Sequence, residues 1–256
     1  MIQLLRHPIR LMTRAFAFAR LLIAAHRDAR RLLSEGPCSL RQRNLWLSKW
    51  SRKSLESMGI RLKITGIPPL EGLLVANHLS YLDVMVLSSA LPVTFLSKDE
   101  VRHWPIMGKF VDFAGTLYIK RENKRALVGL QQHFKDIWDQ GATLAMFPEG
   151  TTTNGDCILP FHPSLFQPAC EQDKPITPVH ISYRCEGGNL SEDVHFWRDM
   201  SFVPHLLRLL SVRTITASVS FGRTRHPDNL DRKLLASSLR EDVLELSSST
   251  PSCQDG

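Results

Sequence analysis

The sequence predicts an α/β fold, a sheet covered by helices on both faces and preceded by an amphipathic helical hairpin. Short apolar runs alternate with helical stretches from residue 61 onward, the pattern of strands and covering helices. The two segments ahead of them wind into basic, two-faced helices. An apolar fraction of 43% with 22% charged residues marks a folded chain rather than a disordered one. Its 256 residues suit one sizeable domain, or one domain with a small accessory element.

The hairpin comes first. Wound at about 100° per residue, residues 2–31 gather Leu4, Leu5, Leu11, Met12, Ala15, Phe16, Leu22 and Ile23 on one side. The other side collects Arg6, Arg10, Arg14, Arg20, Arg27 and Arg31. A basic amphipathic helix of this kind suits a membrane interface, and the competing reading is a helix packed on its own domain with solvated arginines. The arginines leave 21–25 as the longest clean apolar run, too short for a secretory signal or for the roughly 20 residues of a span. Gly36-Pro37 breaks the pattern before a second helix over 40–58. There Trp46 and Trp50 share a face among Arg41, Arg43, Lys49, Arg52 and Lys53, a composition typical of a membrane-water boundary.

Lys and Arg total 32 against 25 Asp and Glu, a net charge of +7 that favours anionic partners. No nucleic-acid motif accompanies the basic helices, so nucleic acid is set aside in favour of an anionic membrane surface. The cysteines (Cys38, Cys157, Cys170, Cys185, Cys253) form no CxxC pair and no zinc pattern, and read as reduced thiols. No metal is expected: His103, His162, His180 and His195 lack ligand spacing and read as structural or surface residues.

Strands are expected at 61–65, 73–76, 93–97, 116–119, 143–147, 176–183 and 214–221, and helices at 82–90, 105–113, 124–140 and 163–171. The helix at 124–140 has the clearest apolar face, from Leu127, Leu130, Phe134, Ile137 and Trp138 up to Gly141. The chain divides into amphipathic helices at 1–58, a catalytic domain at 59–246 and a flexible tail at 247–256.

In an open α/β sheet, functional groups collect past the carboxyl ends of strands. Asn77-His78-Leu79-Ser80-Tyr81-Leu82-Asp83 follows one strand, and Phe147-Pro148-Glu149-Gly150-Thr151 follows another. His78 is the best general base in the chain, and Asp83, five residues on, is placed to orient the imidazole. Capping of a helix start explains the same spacing without catalysis. Ser80 reads as the N-cap of that helix, since no G-x-S-x-G elbow marks a serine nucleophile.

Asn77, His78 and Asp83 resemble the N-H-x4-D signature of the glycerolipid acyltransferases, the superfamily of bacterial lysophosphatidate acyltransferase. Gly115 to Arg121 resembles the second block of that family, and Phe147-Pro148-Glu149-Gly150-Thr151 matches the third. Ile176-Thr177-Pro178-Val179 resembles the fourth. The resemblance spans about residues 60–185 and implies a mixed, mainly parallel sheet.

It further implies a lysolipid O-acyltransferase without a cofactor, in which His78 and Asp83 activate a lysolipid hydroxyl. That hydroxyl attacks the thioester of acyl-CoA or an acyl carrier protein directly, and backbone N–H groups near the two loops stabilise the oxyanion. The substrate site implied comprises Asn77, Arg121, Phe147, Pro148, Glu149, Gly150 and Thr151, with Arg121 on an acceptor phosphate. The implied location is the cytoplasmic face of the inner membrane, with the protein peripheral or monotopic.

Thr152 stands where many such enzymes carry an arginine, and His162-Pro163 replaces a common lysine-glycine pair. The favoured product is phosphatidic acid, from 1-acyl-sn-glycerol-3-phosphate. The threonine-rich loop resembles relatives that acylate lyso-ornithine lipid, which is the alternative acceptor. A second alternative is a catalytically silent lipid-binding or remodelling module.

Overall fold

The computed structural model describes residues 7–104, 107–119, 124–228 and 230–247. It opens with α1 (Pro8–Ser34) and α2 (Leu40–Ser57). Pro8 suits the first turn of α1, where a missing N–H costs nothing. A capping box starts α2: Gln42 N–H donates to the Ser39 hydroxyl, while Ser39 N–H donates to the Gln42 side chain.

The strands are β1 (Ile60–Thr65), β2 (Leu73–Ala76), β3 (Thr94–Lys98), β4 (Leu117–Ile119), β5 (Leu144–Met146), β6 (Ile176–Glu186) and β7 (Thr214–Phe221). Among the described residues they form a seven-stranded sheet in the order β1-β7-β6-β2-β5-β3-β4. Only β6 and β7 pair antiparallel, so the sheet is mixed and mainly parallel, as expected. Between strands lie α3 (Leu82–Ala90), α4 (Met107–Phe113), α5 (Lys124–Asp139), α6 (Gln167–Glu171), α7 (Leu190–Asp193) and α8 (Phe202–Ser211), and α9 (Arg232–Leu246) follows β7. Helices α7, α8 and α9 have no counterpart among the expected elements.

Strand alternation divides the core into two layers. Leu74 and Ala76 face a layer built with α1, α2, α3 and α8, where Phe18, Trp46, Leu55, Val86 and Leu209 pack. Leu73 and Val75 face the other layer, with Leu130, Phe134, Ile137 and Trp138 of α5 and Leu235, Leu239 and Val243 of α9.

The hairpin therefore belongs to the core of the catalytic fold. Trp46 and Trp50 are buried, not aligned along a membrane boundary. Trp50 donates its indole N–H to Asp28 at 2.8 Å, tying α2 to α1. The faces of α1 also differ from the expected split. Leu11, Ala15 and Leu22 pack inward, whereas Ile9, Met12, Phe16 and Ile23 are exposed. Arg10 and Arg14 turn inward as well, donating to the carbonyls of Ser211, Leu210, Val212 and Arg213 at the end of α8. Cations there offset the negative end of a helix dipole. Ideal periodicity missed this because a guanidinium can bind backbone carbonyls while its stem packs on apolar surface.

Cys38, Cys170 and Cys185 are free, but Cys157 is disulfide-bonded, so the expectation of thiols throughout fails there. Ser247, assigned to the tail, is buried. The rest of that tail, 248–256, lies outside the described residues, as do Lys120 and Arg121.

Candidate active site

β2 and β5 are adjacent and parallel, so their carboxyl ends release two loops side by side. The first loop is stapled to β6. Asn77 donates its amide to the Ile181 carbonyl at 2.9 Å and accepts the Ile181 N–H at 2.7 Å. Its side chain is buried, and both ends of its amide are engaged by the backbone of β6.

His78 follows, with Nδ1 2.7 Å from Asp83 Oδ2. That carboxylate oxygen also accepts the N–H groups of Leu79 at 2.7 Å and Ser80 at 2.9 Å. Tyr183, on β6, donates its hydroxyl to Asp83 Oδ1 at 2.6 Å. Asp83 is fully buried, and these donors replace the water it gave up. Burial, with Asp83 beside it, raises the Tyr183 pKa well above the ordinary value, so the phenol stays a donor. An ionised Asp83 accepts from Nδ1–H, which leaves the imidazole lone pair on Nε2.

Ser80 does not cap the helix. Its hydroxyl is buried without a partner, because Asp83 takes over the loop N–H groups that a cap would satisfy. It is the carboxylate within the first turn of α3 that organises the helix start.

The second loop is locked to the first through Glu149. His78 N–H donates to Glu149 Oε1 at 2.7 Å, and Leu159 N–H donates to Oε2 at 2.8 Å. Burial pushes the Glu149 carboxyl up to about 8, against the pull of these two N–H donors. Arg240 of α9 braces the far side, donating to the carbonyls of Ile158 at 2.7 Å and Leu159 at 3.2 Å. Glu149 therefore serves as a strut between the loops, and Pro148 beside it is buried as well.

Phe147, Gly150 and Thr151 do line a cavity with His78, of about 260 Å³. The His78 ring stacks on Phe147 with centroids 4.0 Å apart at 9°. From there the cavity runs past Tyr81, Val84, Met85 and Phe95 to Leu47 and Phe110, so most of its wall is apolar. Ser97, Lys98, Thr151 and Thr152 are polar members of its lining. Gly150 has φ +75°, a backbone region that suits glycine. Beyond it the N–H groups of Thr151 and Thr152 donate to no acceptor among the described residues.

Tyr81 closes one side, its ring edge-on to Phe196 and Phe202. Its hydroxyl lies 3.1 Å from His205 Nδ1, and His205 Nε2 lies 2.9 Å from the His195 carbonyl. A carbonyl only accepts, so Nε2 carries the hydrogen and Nδ1 accepts from Tyr81. Burial lowers the His205 pKa to about 4, in keeping with that neutral tautomer. Tyr183, Lys98, His205, Arg240 and the apolar cavity were absent from the sequence reading. Among them only Tyr183 and Lys98 lay within expected strands or at their ends, and nothing in their spacing pointed to the site.

A protein-family model described as Acyltransferase matches residues 61–182, the stretch that holds both loops. The lyso-ornithine lipid O-acyltransferase of Pseudomonas aeruginosa is 34% identical over 76% of this chain and 75% of its own. The 1-acyl-sn-glycerol-3-phosphate acyltransferase of Neisseria gonorrhoeae is 30% identical over 73% of this chain and 74% of its own. The crystal structure of the 1-acyl-sn-glycerophosphate acyltransferase of Thermotoga maritima superposes with a TM-score of 0.68. That match covers 97% of this chain and 99% of the other at 17% identity, and it concerns the fold. The chain belongs to the acyltransferase family, and it is an enzyme of acyl transfer in lipid synthesis.

Proposed function

We propose that the chain transfers an acyl group from a thioester to the hydroxyl of a lysolipid, with His78 as general base and Asp83 as its orienting partner. The observation that carries this reading is the 2.7 Å contact between His78 Nδ1 and Asp83, made at the mouth of an apolar cavity. The hydroxyl proton passes to Nε2 as the oxygen attacks the thioester carbonyl. The imidazolium that forms is stabilised by the buried carboxylate. The tetrahedral oxyanion needs fixed donors, and the N–H groups of Thr151 and Thr152 are the candidates that line the cavity. Collapse expels the thiolate of acyl-CoA or an acyl carrier protein, which takes the proton from His78, and the apolar cavity suits the acyl chain. No covalent acyl-enzyme is required.

For the acceptor, Lys98 in the cavity wall favours the phosphate of 1-acyl-sn-glycerol-3-phosphate. Arg121, expected to hold that phosphate, lies outside the described residues. Thr152, which lines the cavity where many relatives carry an arginine, favours lyso-ornithine lipid as the second reading. Supplying labelled acyl-CoA or acyl carrier protein with each lysolipid in parallel separates the two. Transfer to neither lysolipid from either donor would leave the silent lipid-binding module.

The enzyme works at the surface of the inner membrane, on its cytoplasmic side, with the exposed Ile9, Met12, Phe16 and Ile23 of α1 laid on an anionic leaflet. No described helix is long and apolar enough to cross a membrane. Changing Met12, Phe16 and Ile23 together to Gln is expected to stop sedimentation with vesicles while the melting temperature holds. Sedimentation like that of the unmodified chain would refute the docking face.

A further inference from the structure

A second cavity, of about 170 Å³, lies outside the reaction site. His26, Ala29, Arg30 and Leu33 of α1 form one wall, Trp46 of α2 the floor, and Lys109, Phe110 and Phe113 of α4 the other wall. The floor is an aromatic stack: Trp46 lies 5.7 Å from Phe110 at 13°, with Phe113 edge-on at 4.7 Å. The indole N–H of Trp46 is buried and meets no acceptor among the described residues.

The charges are one-sided. Arg30 and Lys109 are exposed cations brought together from two elements, and neither has an acidic partner among the described residues. Of the nearby cations, Arg31 pairs with Glu35 and Lys49 with Asp28. Among the described residues no carboxylate lines the cavity.

Its position on α1 selects an occupant. At 100° per residue, Met12, Phe16, Ile23 and Arg30 fall within about 40° of one another around the helix. Leu33, 52% exposed, carries the apolar surface into the cavity itself. If that stripe rests in a lipid interface, Arg30 stands at headgroup depth with Lys109 across the cavity from it. A phosphate between two cations, with the adjoining glycerol and chain on Leu33, Phe110 and Phe113, satisfies both halves of the lining.

We propose that this cavity binds the headgroup of an anionic phospholipid of the membrane, at a site separate from the one that holds the reacting lipids. The proposal rests on the docking face assigned to α1. Phe110 lines both cavities, so the bound lipid touches the wall of the reaction cavity directly.

The test uses the full chain and a soluble short-chain phosphatidylglycerol, with binding followed by calorimetry. Saturable binding is expected, and about tenfold weaker binding by the R30Q/K109Q double variant. A charge-matched control, R20Q/R27Q, is expected to bind as the unmodified chain does. Equal weakening in both double variants would reduce the effect to diffuse surface charge and overturn the proposal. Absence of binding to the unmodified chain would overturn it too, as would equally tight binding of inorganic phosphate, which would make the site one for a free anion. Because the probe is soluble, failure of the docking face shows separately, as loss of vesicle sedimentation with this binding intact.

Discussion

Asp83 carries more of the site than its expected part as a partner to the histidine. It accepts from four groups, and those from Leu79 and Ser80 fix the loop on which His78 stands. His78→Ala is expected to lower transfer by about 10²–10⁴-fold, the usual span of a general base, with vesicle binding unchanged in sedimentation. Activity near the unmodified level would remove His78 from the mechanism. Tyr183→Phe leaves Oδ1 of a buried carboxylate without its donor, a loss of about 1–3 kcal/mol shared between stability and catalysis. With that donor gone the carboxylate is held less firmly against the imidazole, so kcat is expected to fall while KM changes little. An unchanged kcat would make Tyr183 a packing residue only.

At the scale of elements, the two site loops are joined through a buried carboxylate and a helix 90 residues further along the chain. Arg240→Met removes the donors to Ile158 and Leu159 while keeping an unbranched stem, and Leu159 is one of the two backbone donors to Glu149. Stability is expected to fall by about 1–3 kcal/mol and kcat to fall with it, read by denaturant unfolding and by rate on one sample set. An unchanged kcat would mean the brace does not reach His78. The two site loops were legible because a histidine and an aspartate in one turn, and F-P-E-G-T after an apolar run, are local patterns. The edges of β2 and β7 were legible for the same reason, since their apolar runs end at clear breaks. Asn77, Pro148 and Glu149 lay in the right loops yet serve the scaffold, because motif membership does not reveal which way a side chain turns. Helices α8 and α9 escaped notice, and with α9 went Arg240, whose role depends on a contact 82 residues away in sequence. Arg10 and Arg14 were read as a polar face because periodicity does not register that a guanidinium can cap another helix.

Taken as a whole, the molecule buries titratable groups whose pH responses oppose one another. His180 and His205 have pKa values lowered by burial to about 4, below the 6.5 of the free side chain. Their folded state resists protonation, so the stability they allow is present above pH 6.5 and is lost as pH falls toward 4. Glu149, raised to about 8, works the other way: its folded state binds a proton more readily, so stability falls as pH rises from 4.5 to 8. With His180, His195 and His205 lowered by burial against Glu149 and Asp242 raised by it, the melting temperature is expected to drop between pH 6.5 and 4, and His205→Gln is expected to flatten that drop. An equal drop in the variant would locate the acid sensitivity elsewhere.

The pairing of β1 with β7 sets a timetable for the chain as it is made. Ile60 pairs with Ile215, so β1 leaves the ribosome long before its neighbour exists. At about 5–20 residues per second, synthesis of the intervening chain takes on the order of ten to thirty seconds. Through that interval β1 is an unpaired edge beside an amphipathic helix already free to seek an apolar surface. Nascent chains halted before β7 are therefore expected to collect with membranes or aggregates, and chains halted after it to stay folded.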